Sequence, residues 1–113
     1  MRIVFGLSLL CVAACGTGED TATLLCDDAP WLSWENFGAG FVAQHCQSCH
    51  ASTSLDRHEA PEEVVFDSPE HVRQWRELVL AVAVNDEPSM PPMGGVSFED
   101  RRRLQSWLLC EAP

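Results

Sequence analysis

Residues 45–50 read His-Cys-Gln-Ser-Cys-His, and the pair Cys46 and Cys49, with His50 directly after it, constrains this chain more than any other feature. Residues three apart lie on one side of a helical turn, so both sulfurs can meet the same object. Three chemistries use that spacing: zinc binding, thiol–disulfide exchange and covalent haem attachment. A structural zinc wants four ligands, commonly as two close pairs, and the chain has one Cys-x-x-Cys and no His-x-His. Cys26 and Cys110 could complete a set. Thiol exchange normally places its cysteines between a strand and a helix, and no strand pattern precedes Cys46. Haem attachment uses all three side chains. Each sulfur joins one vinyl group on a porphyrin edge, and the imidazole of His50 falls beside the iron.

The N-terminus bears on the compartment. Arg2 precedes an apolar run from Ile3 to Ala14, which is shorter than the roughly 20 residues that span a bilayer and has the shape of a secretory signal. Val12-Ala13-Ala14-Cys15-Gly16 resembles the lipobox of bacterial lipoproteins. That resemblance implies removal of a signal peptide at 1–14 and a lipid on Cys15; an ordinary cleaved signal is the other reading. Cys11 fits the pattern poorly, because Ser8 and Leu10 do not suit the positions before it. Gly16, where an Asp would retain the protein at the inner membrane, leans towards an outer-membrane anchor facing the periplasm. Residues 15–25 then form a flexible tether, and 26–113 form the domain.

Export supplies an oxidising compartment in which disulfides persist. Of the six cysteines, Cys11 leaves with the signal, Cys15 takes the lipid, and Cys46 and Cys49 make the motif. Cys26 and Cys110 are left, one near each end of the domain. A disulfide between them would close a loop of about 84 residues and contribute roughly 4–5 kcal/mol in the chain-entropy model. Two free thiols are the alternative.

Every convincing periodic segment is helical. Residues 34–46 carry an apolar stripe of Phe37, Phe41 and Val42, interrupted by Gly38 and Gly40. Each glycine costs a helix about 1 kcal/mol relative to alanine, so their presence suggests that a second backbone passes close by. Residues 68–84 begin with Ser68 as N-cap, Pro69 in the first turn and Glu70 at the positive helix end. Val72, Trp75, Val79 and Val82 keep helical spacing, and Leu78 widens the stripe. Residues 97–110 open on Ser97-Phe98-Glu99-Asp100, a capping box with Asp in the place of Glu, and bury Leu104, Trp107 and Leu108. Arg101, Arg102 and Arg103 read as a solvated turn, although a helix cannot point all three outward. Two long irregular stretches, 51–67 and 86–96, need something to pack against in so small a domain. The fold class is all-α.

The formal net charge is −10, and the basic residues are all arginine. Such a surface repels nucleic acid and anionic lipid. A protein partner steered to it by charge would present a basic patch.

An iron attached at His50 needs a sixth ligand or an open face. Ser89-Met90-Pro91-Pro92-Met93-Gly94-Gly95 supplies thioethers on a loop stiffened by prolines. Methionine with histidine raises the potential of a haem. Met90 is preferred, because the proline pair directly after it fixes its direction; Met93 is the alternative. His45 is too close to the attachment turn to reach the opposite haem face, and His58 and His71 read as exposed surface residues.

Cys46-Gln-Ser-Cys49-His50, Pro61, Met90-Pro91-Pro92 and the last helix, in that order over residues 34–110, resemble the class I c-type cytochromes. The resemblance implies a small cytochrome c-like helical fold wrapped round one covalently attached haem (heme c), with the first and last helices crossing at Gly38 and Trp107. It implies single-electron transfer between redox partners rather than enzymatic turnover. It also gives Pro61 a role as the residue whose carbonyl accepts a hydrogen bond from the imidazole of His50; a plain loop proline is the other reading. Arg57 and Trp75 are candidates to hold the haem propionates, against an exposed arginine and a core tryptophan. The chain departs from the family in its short interval between His50 and Met90 and in lacking the lysine ring of mitochondrial members. Two alternatives remain. One is a five-coordinate haem protein with peroxidase or gas-binding activity, for which no distal His and Arg pair is evident. The other is a haem-free zinc or disulfide module.

Overall fold

Ser33 starts the first helix. Its hydroxyl accepts the Asn36 N–H at 3.2 Å, and its own N–H donates to Asn36 Oδ1 at 2.7 Å. Two of the four amides that every helix start leaves without partners are thus satisfied reciprocally. The computed structural model describes residues 26–110. The signal at 1–14, the lipidation site expected at Cys15, the tether at 15–25 and the last three residues lie outside the described residues.

From Ser33 the chain makes a π-helical turn, Trp34–Gly38, in which the N–H groups of Phe37 and Gly38 both reach Ser33 O at 3.0 Å. It continues as α1, Ala39–His45, and as the short α2, Gln47–His50, with Cys46 out of helical register between them at φ −123°. The expected single helix over 34–46 is therefore a wide turn followed by a regular one. The second expected helix is also segmented. Ser68 caps α3, Pro69–Gln74, with its hydroxyl accepting the His71 N–H at 3.3 Å. Trp75 interrupts it at ψ 11°, and α4, Arg76–Val79, runs into a π turn, Leu80–Val84. The last helix, α5, spans Phe98–Cys110. Ser97 Oγ accepts the Asp100 N–H at 3.0 Å and donates to Asp100 Oδ2 at 2.9 Å, so Asp serves at this cap. No strand occurs among the described residues, and the fold there is all-α.

The core joins Leu32, Phe37, Phe41, Val42, Val64, Phe66, Val72, Ala83, Leu104, Trp107 and Leu108. Trp107 is its centre, 1% exposed, with the Phe37 ring edge-on at 6.1 Å and the Trp34 ring tilted at 6.2 Å. Gly38 is buried against it: a Cβ there would lie 2.5 Å from Trp107 Cζ2. The close approach expected at this glycine exists, but a side chain makes it, not a backbone. Gly40 is exposed and has nothing within 4 Å of where a Cβ would stand, so no packing reason applies to it. Leu78, expected to widen a buried stripe, is 48% exposed, while Val79 packs against the core at its expected spacing from Val72 and Trp75. The sulfurs of Cys26 and Cys110 stand at disulfide distance, 2.00 Å, which ties the first described residue to the end of α5.

Candidate functional site

The Cys46–His50 turn hangs from α1 by the Cys46 N–H, which donates to Val42 O at 2.9 Å. Cys46 O then accepts the N–H groups of Cys49 at 3.2 Å and His50 at 2.9 Å. Cys46 and Cys49 thus bracket one helical turn, and both are free thiols. Cys46 packs against the core, and burial pushes its thiol from an ordinary 9.0 up to about 12. It is held as the neutral thiol at any physiological pH.

His50 Nδ1 lies 3.0 Å from Val64 O, and its ring centroid lies 5.1 Å from that of Phe66. A carbonyl can only accept, so Nδ1 carries the proton and Nε2 keeps its lone pair. That is the tautomer that binds a metal through Nε2. The Phe66 N–H donates to His50 O at 2.7 Å, and Gln47 Nε2 donates to Phe66 O at 2.9 Å. The segment 64–66 is therefore a strap laid along the Cys46–His50 turn.

Arg57 sets the path of that strap. Its Nη1 donates to Ala51 O at 2.8 Å, Nη2 to Pro61 O at 2.7 Å and to Val64 O at 3.0 Å, and Nε to Ala60 O at 3.4 Å. The Val64 N–H closes a turn onto Pro61 O at 3.1 Å. The partner of His50 is accordingly Val64 and not Pro61. Pro61 O takes the Arg57 guanidinium and the Val64 amide, and the turn it closes brings the Val64 carbonyl, which Arg57 also holds, to the imidazole. Asp67 fastens the far end of the loop by accepting the Ser52 N–H on both oxygens, at 3.1 and 3.2 Å. Hydrogen bonds from Ser52 hold its carboxyl below the usual carboxylate range.

Trp75 sits half-buried against the core at the break between α3 and α4. His71, read as a surface residue, is half-buried, and its Nδ1 is enclosed with no hydrogen-bond partner. His58 is exposed. The Met90 backbone is fixed at both ends. Its N–H, like that of Ser89, donates to Val82 O at 2.9 Å, and its carbonyl accepts Arg101 Nη1 at 2.8 Å. Met90 is 36% exposed and Met93 95%. Met93 lies in a turn closed by the Gly94 N–H on Pro91 O at 3.0 Å. No side-chain bond joins either methionine to the Cys46–His50 turn.

Among the described residues no three His, Cys, Asp or Glu side chains converge on one metal position. The donors on the attachment turn match haem c in type: two free thiols on one turn, and an imidazole that offers Nε2. Val64, Phe66, Gln47 and Asp67 are the supporting residues that the sequence reading passed over. The apolar run Val64-Val65-Phe66 inside an otherwise polar loop was the available signal. No protein-family model, curated protein or solved structure matches the chain.

Proposed function

We propose that this chain is an exported monohaem c-type cytochrome that passes single electrons between redox partners and carries out no catalysis of its own. The observation that carries the reading is the His50 Nδ1 bond to Val64 O at 3.0 Å, beside two free cysteines on the same turn. A bound haem c supplies the ferrous/ferric couple. Cys46 and Cys49 anchor the porphyrin edge through thioethers. His50 offers Nε2 as the proximal ligand, and the Val64 carbonyl fixes the tautomer and makes the imidazole a stronger base. Met90 is the sixth ligand, with Met93 as the alternative, and its thioether holds the potential up. Arg57 and Trp75 would hold the propionates. Arg57 has one N–H left, on Nη1, for that purpose, since its other four serve the loop.

The net charge of −10 directs the choice of partner towards proteins with a basic docking patch. A lipid on Cys15 would hold the domain at the outer membrane, facing the periplasm.

The test is the intact mass and absorption spectrum of the protein exported beside a working haem-attachment system. The expected product carries one haem, one N-terminal lipid and one disulfide, and its ferric form shows the weak far-red band of iron bound to sulfur. A high-spin ferric spectrum would assign the five-coordinate peroxidase or gas-binding alternative. Colourless protein would remove the haem altogether and leave a structural module.

A further inference from the structure

The three consecutive arginines of α5 do three different things. The guanidinium carbon of Arg102 lies 5.8 Å from the centre of the Phe98 ring, at the surface. Arg103 lies 5.0 Å over the Phe37 ring and 3.7 Å from Asp100 Oδ1. Arg101 turns towards the protein. Its Nη1 alone bridges two carbonyls, Ala83 O at 2.6 Å and Met90 O at 2.8 Å. One residue before Ala83, Val82 O accepts the amides of Ser89 and Met90, each at 2.9 Å.

Met90 is therefore held from both sides of its own backbone. Its N–H is tied to the end of the Leu80–Val84 turn, and its C=O is tied to α5 through Arg101. The rest of the loop gives little support. Gly94 and Gly95 adopt φ of 69° and 83°, Met93 is almost fully exposed, and both prolines lack an N–H to bond. A guanidinium is charged at every accessible pH, and its bonds to carbonyls are stronger than neutral ones. An arginine that only capped the turn would need Ala83 alone. The second bond, to the carbonyl of the methionine itself, serves a different purpose.

We infer that Arg101 is the positioning residue that aims the Met90 thioether, which rests on the reading of Met90 as the sixth haem ligand. Arg101 touches neither iron nor porphyrin in this role. It acts by removing the freedom of the peptide unit from which the thioether projects.

The test uses the full-length, haem-loaded protein with Arg101→Gln, Arg101→Lys and, as control, Arg102→Gln. Two quantities are read: the far-red absorption of the ferric form and the hydrogen-exchange rates of the Ser89 and Met90 amides. In Arg101→Gln the band is expected to weaken or vanish, and both amides to exchange about tenfold faster. Arg101→Lys should recover much of both, because a single ammonium can bridge two carbonyls as a single Nη1 does. Arg102→Gln should leave both unchanged. If the wild type shows the far-red band and Arg101→Gln keeps it at full strength, the inference is overturned while the ligand assignment stands. If Arg101→Gln speeds exchange only in proportion to a global loss of stability, Arg101 is a structural cap and the inference fails. If the wild type itself lacks the band, the ligand reading fails and takes the inference with it.

Discussion

A Cβ atom on Gly38 would lie 2.5 Å from Cζ2 and 2.7 Å from Cη2 of Trp107, both inside van der Waals contact. Trp107 is the most buried side chain of the core and is packed by two aromatic neighbours, Trp34 and Phe37, so it has little room to retreat. Gly38→Ala should therefore destabilise the domain by roughly 2–3 kcal/mol, the range for overpacking a filled core. Gly40→Ala should do the opposite. It sits in α1, is exposed and has nothing within 4 Å of its missing Cβ, so alanine should add about 0.5–1 kcal/mol through helix propensity. Urea midpoints of the two variants check both signs. A neutral Gly38→Ala would mean that the Trp107 ring does not press on the Trp34–Gly38 turn at this point.

The bond between Cys26 and Cys110 closes a loop spanning 84 positions. In the chain-entropy model a loop of that length contributes roughly 4–5 kcal/mol, a large part of the total for a domain of this size. Replacing both cysteines with serine should lower the urea midpoint accordingly, and a thiol reductant should lower the wild type to match. Peptide mapping without reductant should recover the two cysteines in one linked fragment. A midpoint indifferent to reductant would show that the two sulfurs are not joined in the folded protein.

The ends of the helices were legible because caps are written in side chains. Ser68 before Pro69, and Ser97 three residues before Asp100, each name the amide they satisfy. The glycines in the first apolar stripe announced a close backbone that neither meets; the pairing of Gly38 with Trp107 came from the family resemblance, and a side chain makes it. The partner of His50 was not legible. It is a backbone carbonyl, which any residue supplies, and which carbonyl arrives depends on a loop path set by Arg57 and its four acceptors. Resemblance pointed to Pro61, and the register of the turn moved the contact to Val64. The break at Trp75 escaped for a similar reason: periodicity marks the buried face, which Val72, Trp75 and Val79 keep, and not where the backbone hydrogen bonding changes.

The dependence on Arg57 can be measured. Arg57→Ala removes four hydrogen bonds to backbone carbonyls of the loop, two of which, to Pro61 and Val64, come from one nitrogen. Bonds from a charged group are each worth about 1.5–3 kcal/mol where the acceptor is left buried, and less where water replaces the donor. A net loss of roughly 2–3 kcal/mol is expected. The Phe66 amide, which donates to His50 O at 2.7 Å, should lose most of its protection against hydrogen exchange, ahead of amides in α5. Equal loosening of both regions would mean that Arg57 does not organise the strap.

Cys46 gives a pH signature that haem attachment should erase. Burial raises its folded-state value to about 12 from the 9.0 of an ordinary thiol, so the folded chain holds the proton more tightly than the unfolded one. The sign follows from linkage. The contribution to stability is complete below about pH 9 and is lost as the pH rises towards about 12. Without haem, the urea midpoint should fall steadily through that interval, and iodoacetamide at about pH 8 should modify Cys46 more slowly in the folded chain than in the unfolded one. A thioether has no proton to lose, so the haem-loaded protein should not show this fall. Rapid alkylation of Cys46 in the folded, haem-free chain would contradict its burial.

The choice between the two methionines turns on how each is held. Met90 has its N–H on Val82 O and its C=O on Arg101, and it is about one-third exposed; Met93 is 95% exposed, in a turn flanked by glycines at positive φ. Ordering a loose loop onto iron costs backbone entropy that a residue bonded at both its N–H and its C=O has already lost in part, which favours Met90 as the proposed ligand although both offer the same sulfur. Met90→Ala should abolish the far-red band of the ferric protein and lower its reduction potential, since the thioether stabilises the ferrous state. Met93→Ala should leave the band in place. The experiment has a clean reverse: loss of the band in Met93→Ala, with Met90→Ala unaffected, would move the sixth ligand to the exposed turn and require the loop to refold around the haem.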